Sequence, residues 1–395
     1  MGIGEDGIEG LARGARDRIE NAEIVFGGAR HLALAAPLIR GVAKPWPSPF
    51  SLAPGEVMAL RGRRLCVLAS GDPFLYGVGA TLIAHIPPEE TWVIPAPSAF
   101  SLAAARLGWP LPETTCVSLH GRALDRIRPH LHPGARILAL TSDADGPAAL
   151  ASLLSDTGFG QSRLTVLEAL GGERERRHTA EARSFDLTDI AALNTVAVEV
   201  AAAPDARILA YAPGLDDDLF DHDGQITKRE IRAVTLSSLR PQHGELLWDV
   251  GAGSGSVGIE WLLADASLRA IAIEADTARA ARAVRNAAAF GVPHLDVMEG
   301  RAPQALADLP QPDAIFVGGG GSGDGVFEAC VAALKPGGRL VANAVTLETE
   351  SDLIARHAAL GGTLARISIS RADAVGGKTG WRPAMPLTQW SWEKV

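Results

Sequence analysis

An apolar strand, Leu246–Val250, runs without a break into Gly251-Ala252-Gly253-Ser254-Gly255 and then into the helical pattern Ser256–Leu263. Three glycines at alternate positions allow a tight turn and let a ligand approach main-chain N–H groups at a helix N-terminus. A purely structural turn is the alternative reading. The alternation continues with strand Ala270–Ile273, an Ala/Arg helix Thr277–Phe290, and strands Leu295–Met298, Ala314–Val317 and Arg339–Ala342, with a helix Gly325–Leu334 before the last. Such alternation specifies an α/β fold built on a largely parallel sheet. Two further runs, Thr363–Ser370 and Leu387–Trp392, are joined by a Gly-rich loop that contains Lys378.

A second α/β block precedes this one, and 395 residues exceed what one ordinary core organises. Its strand-like runs are Ile24–Gly27, Leu65–Ala69, Trp92–Ile94, Arg136–Leu140, Leu164–Leu167 and Thr195–Val200. Helical patterns cover Phe74–Ala84, Ser98–Leu107 and Pro147–Leu154, and the block is expected to form largely parallel sheets. The Pro-rich segment Lys44–Pro54 reads as a loop or lid. Between Ala201 and Asp223 the pattern lapses, which places domains at 1–203 and 214–395 around a linker at 204–213.

Composition narrows the function classes. The formal net charge is −9, without the basic excess of a nucleic-acid binder. No apolar run is long enough for a membrane helix, and the first residues carry no basic-then-apolar leader pattern. Cys66, Cys116 and Cys330 lie far apart, and His130-x-His132 is followed by Pro133, so neither a disulfide framework nor a metal site is expected. The expected setting is cytoplasmic, with no nucleic-acid or membrane partner.

Glu274 ends the strand after the glycine turn, nineteen residues beyond Gly255, where an acidic side chain can accept both hydroxyls of a ribose. A dinucleotide fingerprint would be Gly-x-Gly-x-x-Gly, but its last slot here is Ser256. S-adenosylmethionine has no pyrophosphate and needs close backbone contact without a phosphate cradle, which favours a methyltransferase over a dehydrogenase. The run Leu246–Ser256, Ile273-Glu274-Ala275-Asp276 and Leu334–Gly338 before a strand resemble a Rossmann-like class I S-adenosylmethionine-dependent methyltransferase. More narrowly, Asp223–Arg232, Gly318–Ser322 and Asn343–Glu348 resemble the decarboxylating precorrin methyltransferase domain. Relatives often carry an acid near adenine after the glycine matching Gly300; this chain has Arg301, so adenine contacts are expected from the backbone around Ala302.

In the first block, Gly2–Gly7, Ala69–Pro73, Pro97–Ser101 and Ser118–Arg122 occur in an order that resembles the tetrapyrrole methylase family, a fold of two α/β subdomains with the cofactor in the cleft between them. Glu5-Asp6-Gly7 replaces the usual Pro-Gly-Asp opening. The whole chain is similar to the fused precorrin-6B methyltransferases of aerobic cobalamin biosynthesis. That resemblance implies methylation at carbons 5 and 15 of a precorrin, with decarboxylation of the acetate on carbon 12. It implies two S-adenosylmethionine sites, one per domain, and a homo-oligomer. The alternative is that only the C-terminal domain is catalytic and the N-terminal one merely binds tetrapyrrole.

The implied cofactor residues are Gly2, Gly4, Gly71, Asp72, Pro73 and Ser98 in the first domain. In the second they are Asp249, Gly251, Gly253, Gly255, Glu274 and Ala302. The acceptor carbons are nucleophilic like enamines, so proximity and alignment can supply most of the acceleration without a strong base. Decarboxylation needs an electron sink, which the protonated or methylated ring provides. Thr227, Lys228, Asn343 and Glu348 are the expected positioning groups, with His120 on the substrate side of the first domain. A substrate rich in carboxylates calls for local cations. Arg122 and Lys378 are candidates, whereas Arg174, Arg176, Arg177 and His178 read better as a charged edge interleaved with Glu173 and Glu175.

Overall fold

In the computed structural model, which describes residues 1–319 and 323–395, the backbone separates into two units, Met1–Arg207 and Ile208–Val395. Among the described residues no helix is long and apolar enough to cross a membrane.

The first unit begins with short parallel pairings. Strand β1 (Gly2–Ile3) lies beside β5 (Ala69–Ser70), and β2 (Ile24–Gly27) sits between β3 (Val42–Pro45) and β4 (Leu65–Val67). The second half of this unit holds β6 (Thr115–Ser118), β7 (Arg136–Leu140), β8 (Arg163–Glu168), β9 (Arg176–Glu181) and β10 (Asn194–Glu199), ordered β6-β7-β10-β8-β9.

Three expectations need correction here. The second sheet is mainly antiparallel: only β6 and β7 run parallel, while β10 pairs antiparallel with both neighbours and β8 with β9. Trp92–Ile94 forms no strand, although the Ile94 carbonyl accepts the Gly2 N–H at 2.8 Å. Lys44–Pro54 is not an irregular lid. It contains the end of β3 and the start of helix Ala53–Met58, and Trp46 stacks on buried Phe26 with centroids 5.6 Å apart. Aromatic burial outweighs proline content there.

The second unit is built on one seven-stranded sheet. Its strands are β11 (Leu246–Val250), β12 (Arg269–Glu274), β13 (Asp296–Glu299), β14 (Ala314–Val317), β15 (Arg339–Ala344), β16 (Thr363–Ile367) and β19 (Leu387–Glu393), in the order β13-β12-β11-β14-β15-β19-β16. The first five are parallel, and β19 is antiparallel to both neighbours. Strand side chains alternate between faces. Leu246, Trp248 and Val250 therefore enter one core and Leu247 the other, which suits a strand buried on both sides.

The chain order reverses beside β11, so the crevice at its carboxyl end is where an open α/β sheet binds ligands. Helix Thr277–Ala289 packs nearby through Ala280, Ala283, Asn286 and Ala287, a spacing of three and four that makes one buried face. Its N-cap, Asp276, accepts the Arg279 N–H at 3.0 Å. The Gly-rich segment around Lys378 is an ordered hairpin rather than a loop. Strands β17 (Ser370–Val375) and β18 (Lys378–Pro383) pair antiparallel, with Val375 opposite Lys378 at the turn.

Candidate active sites

The three glycines after β11 do different work. Gly251, Gly253 and Gly255 have φ of 74°, 58° and 76°, the left-handed region that disfavours other residues. A Cβ on Gly255 would sit 3.0 Å from Ala283 Cβ, so this glycine lets the loop close onto helix Thr277–Ala289. It does not line the cavity above the loop. A Cβ on Gly253 would meet only the Gln225 carbonyl at 3.6 Å, and Gly253 does line that cavity.

Glu274 is 7% exposed and locked in place. Its Oε2 accepts the Gly253 N–H at 2.7 Å and its Oε1 the Asp276 N–H at 2.9 Å. Its carbonyl accepts the Gly300 N–H at 2.9 Å. Each carboxylate oxygen keeps a second lone pair, so a rigid acceptor suited to a vicinal diol lines the cavity. Asp249 lies beneath, outside the cavity wall. Its Oδ2 accepts the Gly258 N–H at 2.9 Å, while Oδ1 has no partner. Complete burial pushes its carboxyl up to about 7, and the Glu274 charge adds to the shift.

The cavity measures about 1160 Å³, more than a small cofactor alone needs. Thr227, Lys228, Asn343 and Ala302 line it with Gly251 and Gly253. Lys228 stands at the N-cap position of helix Arg229–Leu239 without a side-chain cap bond. The Asn343 amide already donates to Thr235 Oγ1 (3.0 Å) and accepts from Gln389 Nε2 (2.9 Å), so its orientation is fixed. Two expected residues stand apart. Glu348 is exposed in the first turn of helix Leu347–Leu360, and Lys378 is exposed at the hairpin turn; neither lines the cavity. Of the Gly318–Ser322 motif, Gly318 lines the cavity, whereas residues 320–322 lie outside the described residues.

The first unit holds a smaller cavity of about 360 Å³, lined by Gly4, Gly71, Asp72, Ser98 and His120. Asp72 Oδ1 accepts the Phe74 N–H at 2.9 Å, and Ser98 caps helix Ala99–Leu107 by accepting the Ser101 N–H at 3.0 Å. His120 Nδ1 lies 3.2 Å from the Thr141 carbonyl. Gly2 and Pro73 are elsewhere: a Cβ on Gly2 would fall 1.8 Å from the Gly71 carbonyl, so Gly2 serves the β1–β5 approach, and Pro73 lines another depression. Arg122 is outside the lining but stacks on Tyr76, which belongs to it, at 5.6 Å. Arg176 and His178 belong to exposed β9, where Arg176 donates to buried Glu168 at 2.6 Å and His178 lies 3.5 Å from its other oxygen.

Comparison with known proteins places the chain in a family. Residues 1–186 match the model for tetrapyrrole (corrin/porphyrin) methylases, and residues 218–394 match the precorrin methyltransferase domain. A Sinorhizobium protein named precorrin-6Y C(5,15)-methyltransferase [decarboxylating] is 61% identical over 394 residues, which is 100% of this chain and 95% of that one. The chain belongs to that family. Shorter relatives match part of it. A Pyrobaculum calidifontis protein named "probable cobalt-precorrin-6B C(15)-methyltransferase (decarboxylating)" is 41% identical over 142 residues, 35% of this chain and 72% of that one. A Salmonella typhimurium cobalt-precorrin-7 C(5)-methyltransferase is 32% identical over 179 residues, 45% of this chain and 87% of that one.

Within this family member, two polar groupings escaped sequence reasoning. Arg232 is fully buried and donates to Glu260 Oε1 (2.5 Å), Asp217 Oδ1 (3.0 Å) and the carbonyls of Thr227 and Leu215, with its guanidinium 4.7 Å from the Phe220 ring. Glu260 in turn accepts the Gly214 and Leu215 N–H groups at 2.6 and 3.0 Å. The pair thereby pins the segment that carries Thr227. An arginine on the same helix stripe as Thr235, Leu236 and Leu239 was the available signal. In the smaller cavity, Arg30 joins Glu5, His31 Nε2 (3.0 Å) and Ser70 Oγ (2.7 Å). Burial and the Arg30 charge push His31 down to about 4. These residues are scattered in sequence and gave no local pattern.

Proposed function

We propose that the chain is a bifunctional S-adenosylmethionine-dependent C-methyltransferase. It acts on precorrin-6B at carbons 5 and 15 and removes carbon dioxide from the ring-C acetate, giving precorrin-8X. The first unit carries carbon-5 methylation; the second carries carbon-15 methylation and decarboxylation. The observation that carries this reading is the pairing of locked Glu274 with open Gly253 on a cavity of about 1160 Å³. The two shorter relatives, whose names divide the C(15) and C(5) activities between separate chains, support the division of labour.

The second unit fits the cofactor. A cradle without Cβ atoms at Gly251 and Gly253 admits close backbone approach, Glu274 offers paired acceptors for a ribose, and Ala302 borders the same space. When bound, the cofactor supplies a methyl group activated on a positively charged sulfur. The chain's part is to hold an acceptor carbon in line and to keep water out. Ile226, Val345 and Leu387 give the cavity the apolar wall that a macrocycle needs. Lys228 holds the acetate carboxylate, and Thr227, fixed through its carbonyl by Arg232, presents a hydroxyl beside it. Loss of carbon dioxide leaves an electron pair that the conjugated ring accepts; Lys228 keeps the carboxylate oriented so that the breaking bond overlaps that ring.

A second reading is favoured by the Glu5–Arg30 pair, which takes up part of the wall of the first unit's cavity where the implied cofactor residues Gly4 and Gly71 stand. In it, the first unit only binds tetrapyrrole. Mass spectrometry of the product formed by the full chain decides between them. The bifunctional reading expects two added methyl groups with loss of one carboxyl. One added methyl with that loss supports the second reading, and an unchanged substrate rejects both.

A further inference from the structure

Among the described residues, the large cavity is lined by more cationic than anionic side chains. Four cationic side chains of described residues line it: Lys228, Arg279, Arg301 and Arg371. Arg279 is committed to Asp223 at 2.8 Å and Arg371 is paired with Glu230. Lys228 and Arg301 form no ion pair with any described residue. On the anionic side, Glu230 is matched by Arg371 and Glu274 by backbone N–H groups. Asp324 also lines the wall, but no ion pair joins it to Arg301.

The backbone of Arg301 is fixed while its side chain is free. Gly300 donates to the Glu274 carbonyl at 2.9 Å, and the Arg301 carbonyl accepts the Ala305 N–H at 3.0 Å. A Cβ on Gly300 would sit 2.9 Å from Ala305 Cβ, so this is a tight turn that presents Arg301 to the cavity. The exposed apolar side chains Val345 and Met385 line the same space. Unpaired cations on the wall of a large, partly apolar cavity suit a flat macrocycle edged with carboxylates. A guanidinium can grip one of those bidentately.

Resting on the proposed function, we propose that Arg301 is a specificity-determining residue of the second unit. It anchors a peripheral carboxylate of the tetrapyrrole, separate from the acetate held by Lys228, and so fixes which edge of the ring faces the methyl donor. One charge-assisted hydrogen bond corresponds to about a tenfold change or more in affinity.

The test uses the full chain, with carbon dioxide release from precorrin-6B as readout and calorimetry of S-adenosylhomocysteine as the check on site integrity. Arg301→Ala should raise the tetrapyrrole KM by about tenfold while S-adenosylhomocysteine affinity stays within about twofold. Arg301→Lys should recover part of the loss, because it restores charge without the fork. Added salt should raise the wild-type KM more steeply than that of Arg301→Ala. An unchanged tetrapyrrole KM overturns the proposal; if S-adenosylhomocysteine affinity falls instead, Arg301 lies on the cofactor. A wild-type chain that releases no carbon dioxide rejects the proposed function. Absorbance titration with precorrin-6B still decides Arg301 in that case: a tetrapyrrole Kd about tenfold weaker in Arg301→Ala supports it, and an unchanged Kd overturns it.

Discussion

Replacing Arg232 with methionine should destabilise the second unit far more than an ordinary surface change. Arg232 and Glu260 are both buried, and Arg232 also satisfies the carbonyls of Thr227 and Leu215. Removing the cation leaves a buried carboxylate whose compensation falls to two backbone N–H groups. Breaking a buried pair in this way costs about 3–5 kcal/mol. For a unit of this size that corresponds to a melting shift of roughly 6–20 °C. Adding Glu260→Gln removes the stranded charge while keeping an acceptor for Gly214 and Leu215, so the double variant should recover about half the loss. Scanning calorimetry measures the shift, and hydrogen exchange in helix Ser256–Ala264 localises it. A loss below about 1 kcal/mol, or a double variant less stable than Arg232→Met alone, would refute the assigned role of the pair.

Asp249 should make stability pH-dependent. Its folded pKa near 7 exceeds the ordinary 3.8, so the folded state binds the proton more tightly and stability falls as pH rises from about 4 to 7. The cost is of the order of 4 kcal/mol above pH 7, and Asp249→Asn should flatten this slope in denaturant titrations at several pH values. Chains divided between Arg207 and Ile208 should each fold, since each unit has its own clusters of buried apolar side chains; halves soluble only on co-expression would contradict this. Lys228→Ala should slow carbon dioxide release more than methyl transfer in single-turnover assays, and equal slowing would remove its assigned role.

The second unit was the more legible half because its information is local. A buried strand, a glycine turn and an acid at the end of the next strand all lie between Leu246 and Glu274, and each follows from chain geometry. The first unit was less legible. The antiparallel pairing of β7, β8 and β10 depends on contacts between segments far apart, and alternation of apolar runs cannot specify strand direction. Residue type also failed to separate packing from binding. Gly253 lines the cavity, whereas Gly255 and Gly2 are small because Ala283 and the Gly71 carbonyl crowd them. Glu348 sits in the same motif as Asn343, yet the onset of helix Leu347–Leu360 places it outside the cavity wall. Arg232 and the Glu5–Arg30–His31 grouping become visible only when burial and partners are known.

The proposed division of the two methylations between the units needs a place to hold the methyl donor in each. Calorimetric titration of the full-length protein with S-adenosylhomocysteine counts these places directly. Two equivalents should bind per chain, and Glu274→Ala should abolish one while leaving the other, since it deletes the paired acceptors beside Gly253. One equivalent in the wild-type chain, or two still bound at full affinity in Glu274→Ala, would contradict a cofactor site in each unit with Glu274 at the second.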